Sequence, residues 1–489
     1  MANRAKGRRL FARVNRRWVC RGLLALIGGA VGGCGQSGAD VPSGQTATPP
    51  ERLPSISAVA TPSSLPGPAT PMPSATRIDP LPTATASAPA GSPTALPSPG
   101  PRKYGIQLLL DDDGKYPDPI HWSPTVWPQH LTYARKLVGA GGYAQELIRL
   151  DDLNVAKWQI FMAGCARENL VPIVRLASTY DHDLLQWNPP PTDADGRRYR
   201  TAAGQYRDFL AQLDWPTPTR YVIVGNEPNR GDEWGNQPDP AAYARFLADV
   251  GAALHEIGVT VLGPSLDNYA PNSNGQIIAG YRFLDSQTFL DELAAADSAA
   301  LQTIDVWSSH AYPLGPFIAD PSKQVFQIDY AFGAKNPHHQ TPPPGIYNRG
   351  INSYRWDLWK AGQYLGDRAA TLPVMITETG WRHRGSQDPR AKDSVNADVP
   401  DDLLAAYVDL AFRGNDGRYP NLPSTGWTPW NADPRVLGAV LFALDGYPRD
   451  WGHTNWLDLD ASGNVSGVTP AFKLMSRWTG ESPRGPAPG

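Results

Sequence analysis

Residues Tyr221–Asn229 read Tyr-Val-Ile-Val-Gly-Asn-Glu-Pro-Asn. Four residues of strand character run into Gly225, then into a carboxylate between Asn226 and Pro228. An apolar run without polar alternation is the pattern of a strand covered on both faces, as in a parallel sheet. Pro228 has no amide hydrogen for a ladder, so the strand stops at Glu227 and presents that carboxylate at its C-terminal end. Leu372–Trp381 repeats the design: Leu-Pro-Val-Met-Ile-Thr-Glu-Thr-Gly-Trp carries its apolar run to Glu378. Two buried strands, each ending in one Glu, supply the carboxylate pair that glycosidic-bond hydrolysis uses.

Working outward, the remaining strands are expected at Tyr104–Leu110, Glu146–Leu150, Pro172–Leu176, Thr260–Gly263, Asp305–Ser308 and Leu437–Leu444, with the first two Glu-bearing runs at Tyr221–Gly225 and Val374–Thr377. Helical patterns fall between them. After the fourth strand Asp239 can cap, Pro240 suits the first turn, and Tyr243, Phe246, Leu247, Val250 and Leu254 line one face until Gly258. After the second strand Asn154 can cap a helix with Val155, Trp158, Met162 and Cys165 on one stripe, which makes Cys165 a core residue. A last helix is expected at Pro470–Trp478. Eight strands, each followed by a helix, is the count for a (β/α)8 barrel. A doubly wound open sheet is the alternative. It lacks a Gly-rich phosphate loop after strand one, where Asp111-Asp112-Asp113 would repel phosphate.

In a barrel every strand opens its C-terminal end onto one mouth. Read in order, those ends supply Asp111, Asp112, Arg149, Asp151, Arg175, Asn226, Glu227, Asp267, Asn268, His310, Tyr312, Glu378 and Asp445. Trp122, Trp127, Trp187, Trp234, Trp381, Trp451 and Trp456 fall in loops on the same side. Flat aromatic faces stack on the apolar faces of pyranose rings, and about half of these Trp are expected only to pack loops. His338-His339, without a carboxylate partner, does not make a metal site. No cofactor is implied.

Asn226-Glu227-Pro228 ending strand four, His310-Ala311-Tyr312 ending strand six and Thr377-Glu378-Thr379-Gly380-Trp381 at strand seven resemble the large clan of retaining glycosidases built on this barrel. The resemblance covers the chain from about Lys103 onward. It implies that Glu227 is the general acid/base and Glu378 the nucleophile. It further implies that Asn226 holds a sugar 2-hydroxyl, and that Tyr312 and an Arg from strand two, matched by Arg149, orient the nucleophile. His310, Trp234, Trp381 and Asp445 complete the expected substrate-binding set; Arg175 has no clear counterpart.

The N-terminal part has another character. Met1–Arg21 is strongly basic, and Gly22–Gly33 is apolar and small, too short for the ~20 residues of a membrane span but suited to an export signal. Val31-Gly32-Gly33-Cys34 closes it and resembles a bacterial lipobox, which implies lipidation at Cys34. The alternative is an ordinary signal peptide. Residues 35–102 are Pro, Ser, Thr, Ala and Gly with almost no large apolar side chain, the composition of an extended, disordered spacer. The expected organisation is therefore a signal at 1–34, a linker at 35–102 and a barrel at 103–489.

The 489 residues carry a net charge of −3, which argues against nucleic acid as main partner. Of three cysteines, Cys20 and Cys34 lie in the signal, leaving Cys165 and no internal disulfide. The expectation is a surface-anchored monomer that cleaves a β-linked oligo- or polysaccharide. The rival readings are an inactive carbohydrate-binding lipoprotein, a transglycosylase and a metal-dependent barrel hydrolase.

Overall fold

The structure, a computed structural model, describes residues 103–111, 122–327, 340–383 and 399–480. The signal, Cys34, the linker, Asp112, Asp113, His338 and His339 lie outside the described residues. Among the described ones, eight parallel strands close into a barrel: β1 Tyr104–Gln107, β2 Tyr143–Arg149, β3 Val171–Ala177, β4 Tyr221–Val224, β5 Thr260–Leu266, β6 Val306–His310, β7 Val374–Thr379 and β8 Val436–Leu441. Each pairs with its neighbours in chain order, and β8 returns to β1 with Ile106 opposite Leu441. The (β/α)8 expectation holds, and the open sheet is excluded by this closure.

A long helix follows every strand: α1 Trp127–Val138, α2 Val155–Glu168, α3 Arg200–Leu210, α4 Pro240–His255, α5 Ser286–Gln302, α6 Tyr354–Leu365, α7 Asp401–Arg413 and α8 Pro470–Gly480. Local chemistry sets their starts. Asn154 accepts a hydrogen bond from the Lys157 amide, Asp239 from Ala242 and Asp285 from Thr288, each satisfying a donor that the first turn leaves open. The faces turned inward are the apolar stripes read from the sequence; Tyr243, Phe246, Leu247, Val250 and Leu254 of α4 are all buried. Cys165 is fully enclosed, and burial pushes its thiol pKa up.

Inside the barrel Tyr143, Ile173, Tyr221, Ile223, Leu262, Val306, Met375 and Val440 form one apolar cluster. Further along the strands the interior becomes polar. Gln145 donates to Gln107 at 2.7 Å, and the Ser265, Ser308 and Thr377 hydroxyls are chained at 2.5 and 2.6 Å. The barrel therefore passes from an apolar floor to a hydrogen-bonded layer beneath the mouth.

One strand departs from expectation. β1 ends at Gln107 rather than Leu110 because side-chain carboxylates take over the ladder. The Leu109 amide donates to Asp445 Oδ1 at 2.7 Å and the Leu110 amide to Glu146 Oε2 at 3.2 Å. Asp445 is thus a strut rather than a substrate ligand. It is fully buried, and its other oxygen meets His130 Nδ1 at 2.6 Å.

Candidate active site

Glu227 owes its position to the way β4 ends. Gly225 turns with φ +81°, and Glu227 itself has φ +37°, a left-handed value that an L-residue adopts only when its surroundings hold it. Three contacts do so. The Glu227 amide donates to Ser265 O at 2.9 Å. Asn229, fully buried, accepts from the Asp267 amide at 3.0 Å and donates to the carbonyls of Asp267 and Leu284 at 2.9 and 3.0 Å. Tyr243 of α4 donates its hydroxyl to Val224 O at 2.8 Å. The last Asn of the Asn-Glu-Pro-Asn run thus locks the turn to the end of β5.

Glu378 arrives on β7, one residue before the strand ends. Its Oε1 accepts from Arg175 Nη1, and its Oε2 from the Tyr312 hydroxyl at 3.1 Å. His310, the last residue of β6, stands between the two carboxylates, with Nδ1 2.8 Å from Glu227 Oε1 and 3.7 Å from Glu378 Oε2. One ligand atom from each of Glu227, His310 and Glu378 lies within 4.8 Å of the others. Arg230 Nη1 lies 3.4 Å from Glu227 Oε2.

These neighbours give the carboxylates different environments. Burial raises the Glu227 pKa most; Arg230 pulls it down, Asp267 pushes it up and His310 pulls it down, and the net effect is upward. Glu378 instead has a guanidinium on one oxygen and a phenol on the other, both of which favour its ionised form. For His310 burial opposes the charged ring, but Glu378 and Glu227 outweigh it and raise its pKa. Three possible metal ligands meet here, yet Arg175 and Arg230 already bring positive charge to both carboxylates, an arrangement unfavourable to a cation.

The expected site residues divide. Glu227, Glu378, His310 and Tyr312 come together. Arg149 does not join them: its Nε lies 3.2 Å from Asp151, and Arg175 of β3 makes the contact expected of it. The register explains the exchange. Arg175 stands opposite Leu147 while Arg149 stands opposite Ala177, two residues nearer the rim. Asn226 lies beside Glu227 and lines a small recess with Ser178, Trp187, Glu233, Trp234 and Phe246. Trp234 forms a wall there, edge-on to Tyr243 at 5.6 Å. Trp381 packs a loop, its Nε1 donating to Ala319 O at 2.8 Å. Trp122, Trp127 and Trp456 are likewise buried.

Arg230 and Asn229 were missed by sequence reasoning, although both immediately follow Glu227-Pro228. Arg175 carried a signal, since a charged residue inside a buried strand needs an opposite charge near it.

No protein-family model matches the chain, and no curated protein matches it. Solved structures do resemble it. They include fungal β-1,4-galactanases, at 12% identity, 77% of this chain, 99% of theirs and a TM-score of 0.41. A family 1 β-glucosidase from Thermotoga maritima has 12% identity, 77% and 97% coverage and a TM-score of 0.39. The Thermomonospora fusca β-mannanase in its mannotriose complex has 12% identity, 75% and 86% coverage and a TM-score of 0.34.

Proposed function

We propose that this chain is a retaining glycoside hydrolase acting on a β-linked oligo- or polysaccharide, with Glu378 as nucleophile and Glu227 as general acid and base. The observation that carries the reading is the asymmetric carboxylate pair. One oxygen of each carboxylate lies within 4.8 Å of the other, close enough for both groups to act on one glycosidic bond, as double displacement by a retaining pair requires. Glu378, with cationic and phenolic donors, suits attack as an anion; Glu227, with its raised pKa, suits holding a proton.

The steps follow. Glu378 attacks the anomeric carbon as Glu227 gives its proton to the glycosidic oxygen, and the alcohol departs. A glycosyl ester on Glu378 remains. Its formation removes one negative charge from beside Glu227, which lowers the Glu227 pKa and leaves a carboxylate able to accept a proton from water. That water attacks the anomeric carbon and restores both groups. Arg175 Nε and Nη2, His310 Nε2 and Asn226 Oδ1 are buried without a partner among the described residues, and sugar hydroxyls are the chemistry that satisfies such groups. The barrel would work outside the cytoplasm, tethered by lipid on Cys34 through the spacer; the support is the sequence pattern at 1–102.

Azide tests the two roles together. On an aryl β-glycoside with a good leaving group, Glu378→Gly should lose turnover and regain it with azide, giving a glycosyl azide of inverted configuration. Glu227→Ala should still form the covalent intermediate, which azide captures with retained configuration. The same anomer from both, or full activity in either, overturns the assignment. A wild-type chain that binds such sugars without turnover would make it a binding protein instead.

A further inference from the structure

The Arg230 guanidinium is held on three sides. Its Nε and Nη2 donate to the two oxygens of Asp232 at 3.0 and 2.8 Å, a bidentate pair that fixes its plane. Its Nη1 donates to Asp267 Oδ2 at 3.1 Å and stands 3.4 Å from Glu227 Oε2. Asp267 is itself fixed, its Oδ1 accepting from the Tyr269 amide at 2.7 Å and its own amide bonded to Asn229. A planar fork clamped in this way cannot follow Glu227 if that side chain moves; Glu227 must come to it.

Resting on the reading of Glu227 as the group that gives and takes the proton, we infer that Arg230 is a positioning residue for Glu227 and that Asp267 sets how strongly it acts. Arg230 stabilises the Glu227 carboxylate left when the proton departs to the leaving group. Its full charge there would keep Glu227 permanently ionised and spoil the donation. Asp267 shares the same Nη1 and moderates it. The other charged or titratable groups around Glu227 are His310 of β6, Glu378 of β7, Arg175 of β3, Tyr312 after β6, and Asp232 behind Arg230. Arg230 and Asp267 act on Glu227 with opposite sign and meet at one nitrogen, Arg230 Nη1.

The test is direct titration of the Glu227 carboxyl by 13C NMR in the full chain, labelled at the Glu side-chain carboxyl carbons and assigned with Glu227→Gln. Arg230→Met removes the positive charge, so Glu227 should titrate higher by about one pH unit or more. Asp267→Asn releases Arg230 and removes a negative charge, so Glu227 should titrate lower. Arg230→Lys keeps the charge and should return the titration toward the wild-type value. If Arg230→Met does not fold, Asp267→Asn alone decides, a fall supporting the proposal and no change overturning it. Shifts of the same sign in the two neutral variants, or none, overturn it. The titration needs no turnover, so a wild-type chain inactive on every glycoside would remove the proposed reaction while this measurement still decides the Arg230 contact. Where turnover is seen, the alkaline limb of kcat/KM should move with the NMR value.

Discussion

Arg175 shows how a single residue reports on its neighbours. It is 2% exposed and paired to Glu378, and removing one member of such a buried pair leaves the other charge uncompensated. Arg175→Met should therefore cost roughly 3–5 kcal/mol in denaturant unfolding. Arg149→Met, whose partner Asp151 is half-exposed, should cost less than Arg175→Met. Equal losses would show that the two arginines are not placed as described. In the sequence both arginines stood near strand ends, and resemblance favoured Arg149. The pairing register decides between them, and register is a property of two strands that neither sequence run shows alone. Glu227 and Glu378 were legible because each breaks an apolar run at its last residue. Asn229 and Arg230 were not, because their partners Asp267 and Leu284 are far along the chain.

At the level of elements, α6 is tied to the mouth by a buried carboxyl. Asp357 accepts from the Ser309 hydroxyl of β6, and from Asn268 Nδ2 at 3.1 Å. Burial outweighs both bonds and pushes its pKa from 3.8 up to about 6. The folded form thus binds the proton more tightly than the unfolded chain. Stability from this group is fully present below pH ~4 and is lost as pH rises through about 6. Asp357→Asn, which stays neutral, should gain on the wild type by up to about 3 kcal/mol above pH 7 and show no pH-dependent gain below pH 4. Thermal melts across that range check it; a difference that does not vary with pH would sink the assignment. Such ties between helix and strand are invisible to periodicity. Asp357 sits on a helix whose pattern places it only by spacing, and its partners Ser309 and Asn268 lie 48 and 89 positions away in sequence. Strand existence was legible throughout, whereas the early end of β1 was not, since Asp445 and Glu146 supply the competing acceptors from elsewhere in the chain.

For the molecule as a whole, the barrel begins where the sequence composition changes. The Lys103 ammonium donates to the carbonyls of Trp430 and Asp433 at 3.0 and 2.7 Å, fastening the start of β1 beside the start of β8. A fragment of residues 103–489 should then melt as one transition, at the temperature of the full chain, with or without reductant and chelator. In the full chain, Cys34→Ser should move the protein from the membrane to the soluble fraction with unchanged kcat. Calorimetry and fractionation check the two parts. A fragment that needs residues before 103 for a cooperative melt, or a variant that stays in the membrane, would overturn the separation of anchor from barrel. The proposed division rests on composition, because a segment with almost no large apolar side chain cannot offset its ordering entropy.

The contact between Arg175 and Glu378 spans 203 positions of sequence. Translation at ~5–20 residues per second separates the emergence of the two by ~10–40 s. During that interval β4 to β6 are made, but the β3 arginine lacks the carboxylate that neutralises it, and the growing sheet has open edges awaiting β7 and β8. The nascent chain therefore lacks the proposed nucleophile until 378 of its 489 residues have been made. Its period of open sheet edges falls before the site is assembled, so the hazard and the proposed activity are separated in time.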